Sequence, residues 1–160
     1  MQYKLLCLVI VGLSSSTGYG QTEEHILNVI DRMFEGMRTS DSSMVRSAFA
    51  AEVSLATVTV GKDGKTVLQK ESSLDGFLNA IAAEHPPYEE PVWDCEVQVD
   101  GAFAQVWCKY AFYVAKKFSH CGVDAFHLYR EADGWKIFYV CDTRRRTDCQ
   151  VPEEIQRKFE

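Results

Sequence analysis

DAFHLYREADGWKIFYVCDTR, residues 124–144, decides how this chain is read. Two runs rich in β-branched and aromatic residues, Phe118 to Arg130 and Trp135 to Thr143, flank Glu131-Ala132-Asp133-Gly134. That pattern predicts an antiparallel hairpin closed by a polar turn. A four-residue connection sets Arg130 opposite Trp135, Phe126 opposite Tyr139 and Asp124 opposite Cys141. Strand side chains alternate between faces. One face then carries His120, Asp124, Phe126, Leu128, Trp135, Ile137, Tyr139, Cys141 and Thr143. The other carries His127, Tyr129, Phe138, Val140, Asp142 and Arg144 among others. The first has more apolar bulk and is assigned to the concave side, under helices.

Working outward, Val92 to Val99 and Phe103 to Val114 read as a second hairpin turning at Asp100-Gly101. The half before it is mostly helical. Thr22-Glu23-Glu24 starts a helix whose apolar residues Ile26, Ile30, Met33, Phe34 and Met37 fall on one stripe. A short helix follows from Ser43 to Phe49, then a strand from Val53 to Val60 and a shorter one near Thr66-Val67-Leu68. A third helix runs from about Ser73 to Glu84, ended by His85-Pro86-Pro87. Helices followed by a run of strands imply an α+β fold, three N-terminal helices laid on one face of a mainly antiparallel sheet.

With 160 residues and 46% hydrophobic content, the chain has the makings of one cored domain. Its formal charge of -6 repels phosphate backbones, so no nucleic-acid partner is expected. Residues 1–20 read as a signal peptide: Lys4, an apolar run from Leu5 to Leu13, and a small, polar stretch ending Gly18-Tyr19-Gly20. The run is about half the ~20 residues that span a bilayer, so no stable membrane insertion is expected after cleavage. The expected mature domain is 21–160, periplasmic or secreted. Export permits disulfides. Cys95 opposes Cys108 if their hairpin has a four-residue connection, and a two-residue turn would offset them. Cys121 and Cys149 can join the tail to the last hairpin, leaving Cys141 unpaired. No metal-ligand spacing occurs, and neither metal nor cofactor is expected.

The final hairpin, with Gly134-Trp135-Lys136-Ile137 and Asp142-Thr143-Arg144, resembles that of nuclear transport factor 2-like proteins. The element order αα-β-β-α-ββββ resembles the superfamily over nearly all of residues 21–160. With Phe118-Ser119-His120-Cys121-Gly122, it is similar to the exported bacterial SnoaL-like or "putative lumazine-binding" branch. The resemblance implies a cystatin-like cone enclosing a small-molecule pocket. Similar cones serve as isomerases, dehydratases, cyclases, binding proteins and dimerisation modules, so the fold does not fix the function.

Trp107, Tyr110, His120, Asp124, Phe126, Trp135, Tyr139 and Thr143 are the candidate pocket residues, an apolar wall with few polar groups. Such a wall suits a small apolar or aromatic molecule. Asp124 and His120 are the candidate proton-transfer groups. Four residues apart on one strand, they lie ~13 Å apart and cannot bond each other directly. Binding protein, cofactor-independent isomerase, dehydratase or cyclase, and dimerisation module all stay open. The aromatic outer face, with His127, Tyr129 and Phe138, points to a homodimer.

Overall fold

The computed structural model describes residues 17–71 and 73–160. Most of the expected signal peptide therefore lies outside the described residues. Helix α1 (Thr17–Arg38) begins just before the expected boundary at Gly20. Its stripe of Ile26, Ile30, Met33 and Met37 is buried, each large side chain contributing roughly 1.5–3 kcal/mol. Helix α2 (Ser42–Ala48) is capped by the Asp41 carboxylate, which accepts from the Met44 N–H at 2.9 Å. Strands β1 (Phe49–Val60) and β2 (Thr66–Glu71) form a hairpin, and α3 (Leu74–Ala82) follows.

The rest is β3 (Tyr88–Glu89), β4 (Val92–Asp100), β5 (Phe103–Val114), β6 (Lys117–Glu131), β7 (Gly134–Arg144) and a one-turn helix α4 (Glu153–Gln156). The strands make one curved, open sheet in the order β2-β1-β7-β6-β5-β3, with β4 also on β5. All pairings are antiparallel except β1 on β7. The α+β class and the helix-on-sheet layering match the expectation from sequence. The two-residue β3 and short α4 carry too few residues for periodicity to reveal.

The closing hairpin departs from the expected register. Arg130 pairs with Trp135 and Leu128 with Ile137, as a four-residue connection requires. A bulge then intervenes, and His127 pairs with Tyr139, Phe126 with Val140, and Asp124 with Asp142 rather than Cys141. The extra residue reverses the parity of every later position on β7. The expected inward placement of Tyr139, Cys141 and Thr143 is thereby corrected: Val140, Asp142 and Arg144 line the concave face instead. Both Phe138 and Tyr139 pack against His127, with ring centroids 6.0 and 5.2 Å from it.

Two disulfides fasten the sheet. Cys95–Cys108 joins β4 to β5, in a hairpin where Asp100 pairs with Phe103. Cys121–Cys149 ties the segment after β7 to β6. Cys141 is free.

Candidate functional site

A cavity of about 480 Å³ lies between the helices and the concave face of the sheet. Its helical wall is apolar: Met33, Phe34 and Met37 from α1, and Phe77, Ala80 and Ile81 from α3. The sheet wall is different. One rung runs from Cys108 on β5 through Asp124 on β6 and Asp142 on β7 to Thr57 on β1. Adjacent strands lie ~4.8 Å apart, so this rung brings two carboxyls together beneath the helices.

The two carboxyls have unlike surroundings. Thr57 Oγ1 donates to Asp142 Oδ1 at 2.5 Å, and Arg144 Nε donates to Oδ2 at 2.6 Å. The Tyr110 hydroxyl lies 3.2 Å from the same Oδ2 and 2.9 Å from the Thr143 carbonyl. One hydroxyl proton serves one acceptor at a time, and the carbonyl is the nearer. Both carboxyl oxygens of Asp142 thus have donors. Asp124 is 4% exposed, and its Oδ2 has no hydrogen-bond partner among the described residues. Burial pushes its carboxyl well above the usual range, Glu90 and Asp142 push it further, and Arg144 opposes them. That shift favours the protonated carboxylic acid, which is able to donate.

Glu90 is the third carboxyl. It sits between β3 and β4, in a segment pinned on both sides to β5. The Ala115 N–H donates to the Pro87 carbonyl at 2.9 Å, and the Ala111 N–H to that of Pro91 at 3.2 Å. His85 stacks on Tyr88 with ring centroids 3.9 Å apart, which stiffens the same segment. Burial, then the Asp142 charge, pushes Glu90 up to about 8, against the pull of Arg144. His120 moves the other way. Burial and the Arg144 charge lower it to about 4, so the ring is neutral near pH 7. Its Nδ1 lies 3.0 Å from Ser119 Oγ.

Gly122 makes the arrangement possible. A Cβ there would stand 1.7 Å from the Thr143 carbonyl oxygen and 2.8 Å from the Tyr110 ring. Tyr110 pairs with Gly122 across β5 and β6, and its hydroxyl reaches β7 beyond the missing side chain.

Of the residues singled out from sequence, Tyr110, His120, Asp124 and Phe126 line the cavity together. Trp135 is buried elsewhere in the core. Trp107 is 52% exposed and lies outside the cavity lining. Tyr139 and Thr143 are turned away by the bulge, and Thr143 Oγ1 accepts from the Val123 N–H at 3.0 Å. Sequence reasoning missed Glu90, Asp142 and Arg144. The signal for Glu90 was a carboxylate enclosed by Tyr88 and Pro91, directly before a strand. Among the described residues, no group of His, Cys, Asp and Glu is arranged to hold a metal ion.

The family profile described as "Putative lumazine-binding" matches residues 21–139. No curated protein matches the chain. Solved structures share the fold at low identity. A nuclear transport factor 2-like protein of unknown function from Shewanella baltica is 18% identical, with a TM-score of 0.58 over 82% of this chain and 100% of its own. A function-unknown protein from Mycobacterium tuberculosis is 16% identical, with a TM-score of 0.65 over 90% of this chain and 85% of its own. A Nostoc punctiforme protein with a cystatin-like fold is 8% identical, with a TM-score of 0.62 over 78% of this chain and 92% of its own.

Proposed function

We propose, from the premise that the chain belongs to the putative lumazine-binding family of the nuclear transport factor 2-like superfamily, that it is an exported small-molecule-binding protein. The ligand occupies the cavity between helices and sheet, its apolar or aromatic body against Phe34, Phe77 and Phe126. One observation carries this reading. Asp124 lines the cavity, and its buried Oδ2 lacks a protein partner among the described residues. A buried polar atom left unsatisfied costs roughly 1–3 kcal/mol, which a ligand's hydrogen bond recovers. Tyr110 and His120 border the same space.

The leader-like residues 1–20 and the two disulfides support export to the periplasm or exterior. No helix of the described residues is long and apolar enough to cross a membrane. The convex face supports self-association into a homodimer. Phe103, Trp107 and Tyr129 are 40%, 52% and 37% exposed there, beside Phe138 and His127. Proton transfer by Asp124 is the second reading of the cavity, favoured by the upward shift that burial gives its carboxyl.

Titration with an uncharged solvatochromic aromatic dye tests the binding reading. One dye per chain is expected for the native protein, and strongly reduced binding for Met33→Trp, which narrows the cavity from α1. Equal dye binding by both proteins would place the dye elsewhere and defeat the assignment.

A further inference from the structure

Acidic side chains outnumber basic ones on the cavity wall. Neither α1 nor α3 places a charged side chain in the lining. The sheet and its edge supply Glu71 from β2, Glu90 before β4, Asp124 from β6, and Asp142 and Arg144 from β7. The other titratable groups there are Tyr88, Tyr110 and His120, and of these Tyr110 and His120 are uncharged near pH 7. Arg144 is the one cation among these described residues, and it is committed to Asp142 at 2.6 Å. Glu71 is exposed at the rim. That leaves Glu90 and Asp124 as acids inside the cavity with no cationic partner of their own. The aromatic lining adds a second attraction, because ring faces favour positive charge.

We propose that the cavity selects a cationic ligand, an aromatic or alicyclic amine whose ammonium group sits between Glu90 and Asp124 while its ring packs among Phe34, Phe77 and Phe126. This deepens the binding reading above and rests on it. Asp124 Oδ2, buried and unpartnered among the described residues, is the atom that the ammonium would bond. An anion entering the cavity would meet three carboxyls and one engaged guanidinium. A neutral ligand could take a hydrogen bond from Asp124 but would not relieve the crowding of acids.

The pairing carries a proton balance. In the free protein, burial favours the protonated, uncharged forms of Asp124 and Glu90. When the ammonium arrives with its own protons, a carboxyl releases its proton to solvent and the ion pair forms. Binding therefore expels protons and tightens as pH rises from about 6 towards 8, the range below which Glu90 holds its proton.

Three probes of one shape test this: naphthylmethylammonium, naphthylmethanol and naphthoate, titrated calorimetrically in buffers of differing ionisation enthalpy. The ammonium should bind at least about ten-fold more tightly than the alcohol, and naphthoate most weakly. Up to about one proton per ammonium should be released near neutral pH, and none for the alcohol. Glu90→Gln and Asp124→Asn should each shrink the ammonium's advantage over the alcohol. Equal or better binding of the alcohol or naphthoate, or ammonium binding without proton release in the unmodified protein, overturns the proposal. Should the uncharged dye bind in the cavity with no ammonium preference, this inference alone fails. Should neither dye nor probes bind, the underlying reading fails with it.

Discussion

Asp124 and Asp142 face one another across β6 and β7, yet their carboxyls live in opposite conditions. Asp142 receives hydrogen bonds from Thr57 and Arg144, with the Tyr110 hydroxyl also in range. Asp124 Oδ2 has no partner among the described residues. Two neighbouring carboxyls rarely ionise together in a dry site. The donors set the two apart: Thr57 and Arg144 serve Asp142, while burial and the neighbouring acids raise Asp124.

The asymmetry predicts unequal mutants. Asp124→Asn keeps the shape and neutrality of the protonated acid, so urea denaturation at pH 7 should shift by less than about 1 kcal/mol. Asp142→Asn removes the charged acceptor that serves Thr57 and the half-exposed Arg144, and should cost about 1–2 kcal/mol. Equal losses would mean that Asp124 is ionised too.

Stability should fall between pH 6.5 and 8. Glu90 rises from 4.5 unfolded to about 8 folded, so the native state holds its proton more tightly across that window. Its contribution is complete below pH 4.5 and is lost as pH climbs through about 8. His120 falls from 6.5 to about 4, so its contribution grows from pH 4 to 6.5 and then stays constant. Above pH 6.5 the acids act alone, and about 1–2 kcal/mol should disappear by pH 8. Glu90→Gln should clearly reduce that slope in chemical denaturation series, the remainder belonging to Asp124. An unchanged slope would remove Glu90 from the account.

Gly122→Ala should be severely destabilising. The new methyl would press on the Thr143 carbonyl, which is backbone and cannot rotate aside, and on the Tyr110 ring. The loss should exceed the roughly 1–3 kcal/mol of ordinary overpacking. Near-ultraviolet circular dichroism should also lose the signal of a fixed Tyr110. A variant with native stability would show that β6 and β7 separate easily at this point.

The residues that misled the sequence reading are specific. Gly134-Trp135 and the alternation through Ile137 set the hairpin correctly, because turn chemistry and pleat are local. Ile137-Phe138-Tyr139-Val140 contains four strong strand formers and no glycine, so nothing in it marks a bulge. The bulge is settled by what packs on each side: Ile137 in the core, and Phe138 with Tyr139 around His127. That choice turned Asp142 and Arg144 inward and Tyr139 and Thr143 outward. His120, Asp124 and Phe126 were legible because they precede the bulge's effect, on the partner strand. Glu90 was not, because β3 is two residues long and the segment's position depends on its hydrogen bonds to β5. Position, not residue type, gave it a role.

The disulfides predict a thiol count. In unfolded, unreduced protein, Cys141 should be the one described cysteine that alkylates. Replacing both Cys121 and Cys149 with serine should cost about 2–5 kcal/mol and free the C-terminal segment to proteases. Alkylation at Cys95 or Cys149 without reductant would contradict the pairing.

The most direct test is the side-chain carboxyl ¹³C resonance of Asp124, followed by nuclear magnetic resonance at pH 7 as the uncharged aromatic dye is added. The account predicts the chemical shift of a protonated acid in the free protein, and a saturable change with one dye per chain. An ionised Asp124 that ignores the dye, while the dye binds, would contradict it.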